Sequence, residues 1–123
     1  MPRVPVQIAD GQKIRLSPDR RNILIRKVIK DFCALYTPGG RMIYVGDTQL
    51  KWAYYDAAAL TSLGVTIEEH GKMPDVMVHH TGKNWLLLIE AVTSHGPVDP
   101  KRRAELKKLF AGSSAGLVFV TAF

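Results

Sequence analysis

The chain has 123 residues, 46% hydrophobic and 23% charged, with a formal net charge of +6. That is the composition of one globular domain, residues 1–123, with a core burying roughly 65% of the unfolded surface, and it excludes a disordered chain. No apolar run approaches the roughly 20 residues of a membrane span, and a single cysteine, Cys33, excludes an internal disulfide and a Cys-based zinc site. The start, Met1-Pro2-Arg3-Val4-Pro5, lacks the apolar core of a signal peptide, so the expected location is cytoplasmic, with no membrane partner.

Residues 1–16 are mixed and proline-containing, with a short strand expected from Lys13 to Leu16. Ser17-Pro18-Asp19 reads as a helix start: a cap, a proline at the first helical position and an acid in the first turn. Leu24, Val28, Phe32 and Leu35 recur at helical spacing until Thr37-Pro38-Gly39-Gly40 ends the element, with Cys33 inside it as a small buried hydrophobe. Met42 to Val45 reads as a strand closed by Gly46. Asp47 or Thr48 is then expected to cap a second helix with Leu50, Tyr54, Ala57 and Leu60 on its apolar face, stopped by Gly64. Val65 to Ile67 adds a brief strand, and Glu68 to Lys72 a polar loop.

Pro74 to His80 and Trp85 to Val92 are strand-like runs separated by Thr81-Gly82-Lys83-Asn84, which is turn chemistry. With those four residues as the loop, His80 faces Trp85, and counting back along both strands puts Asp75 directly opposite Glu90. Cβ atoms of such a pair lie roughly 4.5–5.5 Å apart, where like charges destabilise a sheet. A divalent cation with oxygen ligands offsets that repulsion, and the Ala91 carbonyl is placed to join the two acids around Mg²⁺. The plainer alternative makes Asp75 a turn residue after proline and pairs Glu90 with a helix Arg or Lys.

Thr93 to Pro97 is an irregular link. Asp99-Pro100 starts a third helix with Leu106, Leu109 and Phe110 inward, and Leu117 to Thr121 has the pattern of a fully buried strand. Helix, strand, helix, hairpin, helix, strand gives an α/β (α+β) fold: a mixed central sheet of at least four strands flanked by helices, its last link having the length of a parallel crossover. Lys101, Arg102, Arg103, Lys107 and Lys108 share the third helix, and six further cations from Arg15 to Lys30 gather near the amino end. These are either solvated faces or contacts to a polyanion, and the acids lying between them favour nucleic acid.

Gly46-Asp47-Thr48, Lys72-Met73-Pro74-Asp75-Val76, Lys83-Asn84-Trp85, the block Ile89-Glu90-Ala91-Val92-Thr93-Ser94-His95-Gly96-Pro97-Val98, and Pro100-Lys101-Arg102 strongly resemble the catalytic domain of the BsuBI/PstI family of type II restriction endonucleases. The resemblance runs from about residue 10 to the end and implies a restriction-endonuclease-like fold of the PD-(D/E)xK class. It implies Mg²⁺-dependent hydrolysis of double-stranded DNA at a palindromic site by a homodimer, with Asp75 and Glu90 as the two acids. It also implies a chain lacking the family's amino-terminal helical domain and the segment after the last strand.

The class places a lysine two residues after the second acid, and here that residue is Val92. Lys72, His95 and Lys101 are the candidate substitutes. His95 has a suitable unperturbed pKa; a loop-ordering hydrogen bond is its other reading, and a solvated or phosphate-contacting lysine that of the other two. Metal ions alone also suffice to activate water, so no base is required. Asp47 is an additional candidate acid or an N-cap. Lys101, Arg102, Arg103 and Lys107 are candidate DNA contacts. A catalytically inert DNA-binding remnant of such an enzyme is the alternative to an active nuclease.

Overall fold

The computed structural model describes residues 4–9, 12–36, 39–47, 49, 52–66, 73–92 and 100–122. Strands β1 (Val4–Ala9) and β2 (Gln12–Leu16) form an antiparallel pair of their own. The sequence reading placed only the second of these. Pro5, with no N–H to give a ladder, masks the first, and a two-stranded ribbon tolerates it because each strand is an edge.

Helix α1 (Arg20–Lys27) starts two residues later than expected. Its N-cap is Asp19, whose side chain accepts from the Arg21 N–H at 2.9 Å. Ser17 is buried instead, and its carbonyl accepts from the Asn22 side-chain amide at 2.7 Å. A π-helical turn (Val28–Phe32) joins α1 to α2 (Cys33–Tyr36). The wider turn shifts the inward face. Ile25, Val28, Ile29 and Cys33 are buried, while Leu35, expected inward, is 69% exposed.

Strand β3 (Arg41–Val45) is followed by β4 (Tyr54–Tyr55) and helix α3 (Ala57–Ser62), whose N-cap is Asp56. The second helix therefore does not begin at Asp47 or Thr48. Tyr54, assigned to that helix, pairs with Val45 in the sheet, and Thr48 and Leu50 lie outside the described residues. Gly64 does end α3, with φ at +89°. Val65 is buried but not in a strand, and Ile67 lies outside the described residues.

Strands β5 (Val76–His80) and β6 (Trp85–Ala91) form the expected hairpin, with His80 opposite Trp85 and Val76 opposite Ile89. Helix α4 (Pro100–Leu109) leads to β7 (Gly116–Ala122), parallel to β6. The sheet order is β4-β3-β5-β6-β7, a mixed sheet of five strands. β7 is an edge strand with Leu117 to Ala122 half-buried, not the fully buried strand its composition suggests. It has one neighbour, whereas β5 and β6, each between two strands, are buried on both faces.

One face carries α1, the π turn and Leu16 of β2 packed on Val45, Val76, Val78, Leu87 and Ile89. The other carries Leu60 of α3 and Leu106 and Phe110 of α4 packed on Ile43, Met77, Leu86 and Leu88. A bulge in β3 between Met42 and Tyr44 lets the adjacent Ile43 and Tyr44 both face this second layer.

Candidate active site

The sheet has two ends. At one lies the Thr81–Asn84 turn, where Trp85 neighbours Gly116. At the other, β3 and β6 finish and β5 begins, so Asp47, Asp75 and Glu90 all lie at that end. Asp75 sits one residue before β5, behind the buried Pro74. Its carbonyl accepts from the Gly46 N–H at 2.7 Å. Its carboxylate Oδ2 accepts from the Ala91 N–H, also at 2.7 Å. Asp75 is thus tied to β3 through its backbone and to β6 through its side chain.

Glu90 is half-buried, next to last in β6, and registers with Thr121 of β7. It continues the alternation of Leu86 and Leu88 on the α3/α4 face. The last registered pair of the hairpin is Val76 with Ile89, so Asp75 and Glu90 occupy the next step of that register. The Ala91 amide, donating to the Asp75 carboxylate, offsets part of that acid's charge. The Val92 N–H points to the Ala122 carbonyl at 2.8 Å. Across a trans peptide the Ala91 carbonyl points the opposite way, to the side from which Asp75 approaches. Two carboxylates and a carbonyl are hard oxygen donors of the kind Mg²⁺ takes. Among the described residues no three His, Cys, Asp or Glu side chains group as a metal site.

Asp47 leaves the end of β3 with both oxygens engaged: Oδ2 accepts from the Ser17 N–H at 2.7 Å and Oδ1 from the Gln49 N–H at 2.8 Å. It caps no helix but fastens the segment before α1 to the sheet. An open cleft of about 100 Å³ is lined by Asp75, Pro74, Asp47, Gly46, Tyr44 and Arg21. Burial, then the negative charge of Asp75, then Tyr55 hold the Tyr44 phenol above its ordinary pKa, so it stays protonated at neutral pH. Tyr44 packs edge-on against Tyr55, and Tyr55 against Trp52, with ring centroids 5.6 and 5.3 Å apart.

The cations are arranged by helix direction. The chain leaves the sheet at Ala91 and re-enters at Gly116 beside Trp85, so α4 runs back from the acid end. Its first turn brings Lys101 and Arg103 to that end, both exposed, whereas Lys107 lies toward the other. Arg103 also lies over the Phe119 ring, 5.5 Å from its centroid. The Arg102 side chain, and Lys72 and His95 entirely, lie outside the described residues. At the opposite end of the sheet, His79 shares a hydrogen bond with Asn84 at 3.0 Å.

Sequence reasoning did not single out Tyr44 or Arg21. Tyr44 reaches the acid end's face only through the bulge, which leaves no sequence signature. Arg21 read as one more cation of a basic run.

A family model described as the BsuBI/PstI restriction endonuclease domain matches residues 4–123. The type II restriction enzyme BsuBI of Bacillus subtilis is 56% identical over 121 residues, covering 98% of this chain and 38% of that protein. The type II restriction enzyme AplI of Arthrospira platensis is 28% identical over 128 residues, covering 98% of this chain and 39% of that protein. The solved structure of the SdaI restriction endonuclease matches with a TM-score of 0.88 at 40% identity, over 97% of this chain and 38% of that one. The chain spans less than two fifths of the length of these relatives. No helix among the described residues is long and apolar enough to cross a membrane. With the model matched over nearly its whole length, the chain belongs to the BsuBI/PstI restriction endonuclease domain family.

Proposed function

We propose that residues 1–123 form one nuclease domain of a type II restriction enzyme, which hydrolyses phosphodiester bonds of double-stranded DNA with Mg²⁺ held by Asp75, Glu90 and the Ala91 carbonyl. The observation that carries this reading is the tie between the Asp75 carboxylate and the Ala91 N–H, which fixes two acids on adjacent strands at one end of the sheet. Bound there, Mg²⁺ supplies Lewis acidity for phosphoryl transfer to water. The protein holds the acids in place with backbone hydrogen bonds, so the donor set does not have to reorganise when charge builds up. Tyr44 contributes a neutral hydroxyl beside Asp75.

Lys101, Arg102, Arg103 and Lys107 contact backbone phosphates of the duplex, and the attacking water gives its proton to solvent, Lys72 or His95. Two copies of the enzyme read a palindromic site, since a two-fold protein matches a two-fold sequence. Incubation with plasmid and Mg²⁺ tests the assignment: the expected result is cleavage that stops with EDTA and in Asp75→Ala and Glu90→Ala. Equal cutting by the protein and both variants sinks it. Val92, apolar where the class carries a lysine, favours a second reading, an inert DNA-binding remnant. Salt-dependent DNA binding without any Mg²⁺-dependent cleavage would select that one.

A further inference from the structure

Asp47 and Asp75 line one cleft at the acid end, and Glu90 lies one register step beyond the hairpin's last pair at the same end. A phosphodiester brought there carries its own negative charge and gains more in the transition state of hydrolysis. Something cationic must face it. Among the described residues lining the cleft beside Asp75, Arg21 is the cation.

Its position is built, not incidental. Arg21 is the second residue of α1, and the segment leading into α1 is clamped to the sheet end. Asp47 holds the Ser17 N–H at 2.7 Å, the buried Asn22 amide holds the Ser17 carbonyl at 2.7 Å, and the Gln49 amide holds the Pro18 carbonyl at 3.2 Å. Asp19 accepts from the backbone N–H of Arg21 itself. Four hydrogen bonds therefore fix where α1 starts, and Arg21 projects from that fixed start at the cleft wall. The Arg21 side chain is exposed, so its guanidinium is available to a ligand. Val92, the residue after the strand that carries Glu90, is apolar and supplies no charge.

We propose that the Arg21 guanidinium binds the non-bridging oxygens of the phosphate lying over Asp75, with Asp47 and Asn22 as the residues that position it. This rests on the nuclease reading and adds its phosphate clamp. A guanidinium suits the task because its planar fork meets two phosphate oxygens at once and stays charged at any working pH.

The test compares the protein with Arg21→Ala, Arg21→Lys and, as a charge control at the far end of the sheet, Lys83→Ala. Two readouts are taken: plasmid cleavage with Mg²⁺, and duplex binding as a function of salt without Mg²⁺. Arg21→Ala is expected to cut on the order of 10²-fold more slowly at saturating DNA. Its salt slope should fall by about one, the share of a single phosphate contact. Arg21→Lys restores the slope but only part of the rate, and Lys83→Ala matches the parent in cutting. Rates and slopes equal to the parent's in Arg21→Ala overturn the proposal; so does a lowered slope with an intact rate, which puts the contact on a flanking phosphate. If the parent and Asp75→Ala are equally inert, the nuclease reading fails while the slope still judges the Arg21 contact. A parent that binds no DNA defeats both.

Discussion

The Asp75 carboxylate accepts a hydrogen bond from the backbone N–H of Ala91, 2.7 Å away, so one acid is anchored to the strand that presents the other. This separates folding from chemistry at Asp75. In Asp75→Asn the side-chain carbonyl still accepts from that N–H, and the fold should keep its stability within about 1 kcal/mol while cleavage is lost. In Asp75→Ala a part-buried N–H loses its acceptor, at a cost of roughly 1–3 kcal/mol. Urea melts of both variants beside cleavage assays check the split.

Asp56 is held below the ordinary carboxylate pKa, first by the Ala59 N–H at the start of α3 and then by Arg41, whose Nη2 lies 2.7 Å from Oδ2. A carboxylate with a lowered folded pKa stabilises the fold above its unfolded pKa, near 3.8, and that contribution disappears as pH falls through the folded value. Arg41 is 61% exposed, so the ion pair adds little and the cap dominates, at about 1 kcal/mol. Asp56→Ala should therefore be less stable by about that much at pH 7. The gap should close below the usual carboxylate range, as read by melts across pH.

Gly64 and Gly112 lie back to back between the ends of α3 and α4. A Cβ on Gly64 would sit 2.5 Å from the Gly112 carbonyl oxygen, and one on Gly112 would sit 2.7 Å from that of Gly64. Gly39 shares the left-handed conformation, at +74°, but has open space around it. Gly39→Ala should cost about 1 kcal/mol, the backbone penalty alone. Gly64→Ala should cost visibly more, because one backbone has to move off another. Equal midpoints for the two variants in urea would refute the close contact.

Lys101 and Lys107 stand at opposite ends of α4. With both contacting phosphates, Lys101→Ala and Lys107→Ala should each reduce the salt slope of binding by about one. If only the acid end touches DNA, Lys101→Ala does so and Lys107→Ala does not. Fluorescence anisotropy with a labelled duplex from 50 to about 200 mM salt distinguishes them.

The turn and register of the β5–β6 hairpin were legible, though Pro74, Asp75 and Val92 fall just outside its strands, because its signals agree: two apolar runs, a four-residue polar turn, and one register that buries Val76, Val78, Leu87 and Ile89 together. Asp75 and Glu90 followed from counting along it. Where local and tertiary preferences diverge, the sequence misleads. Leu50, Tyr54, Ala57 and Leu60 have helical spacing, yet Tyr54 joins the sheet because Val45 offers an unpaired edge. Leu117 to Thr121 read as a central strand on composition, but burial depends on how many neighbours a strand acquires, which composition does not encode. The bulge in β3 and the π turn each change a face by a single residue, below what periodicity resolves. Arg21 was invisible as a site residue for a similar reason: its importance comes from the Asp47–Ser17 tie across 30 positions of sequence.

The two longest helices, α1 and α4, both begin at the acid end. Their peptide dipoles point the same way there, each equivalent to roughly half a positive charge at its first turn. The acids therefore sit in a field made partly by main-chain N–H groups, and that part neither titrates nor depends on any one side chain. Arginines and lysines can be gained or lost around the rim and will retune affinity, but the polarity of this end is a property of the chain's direction through the fold.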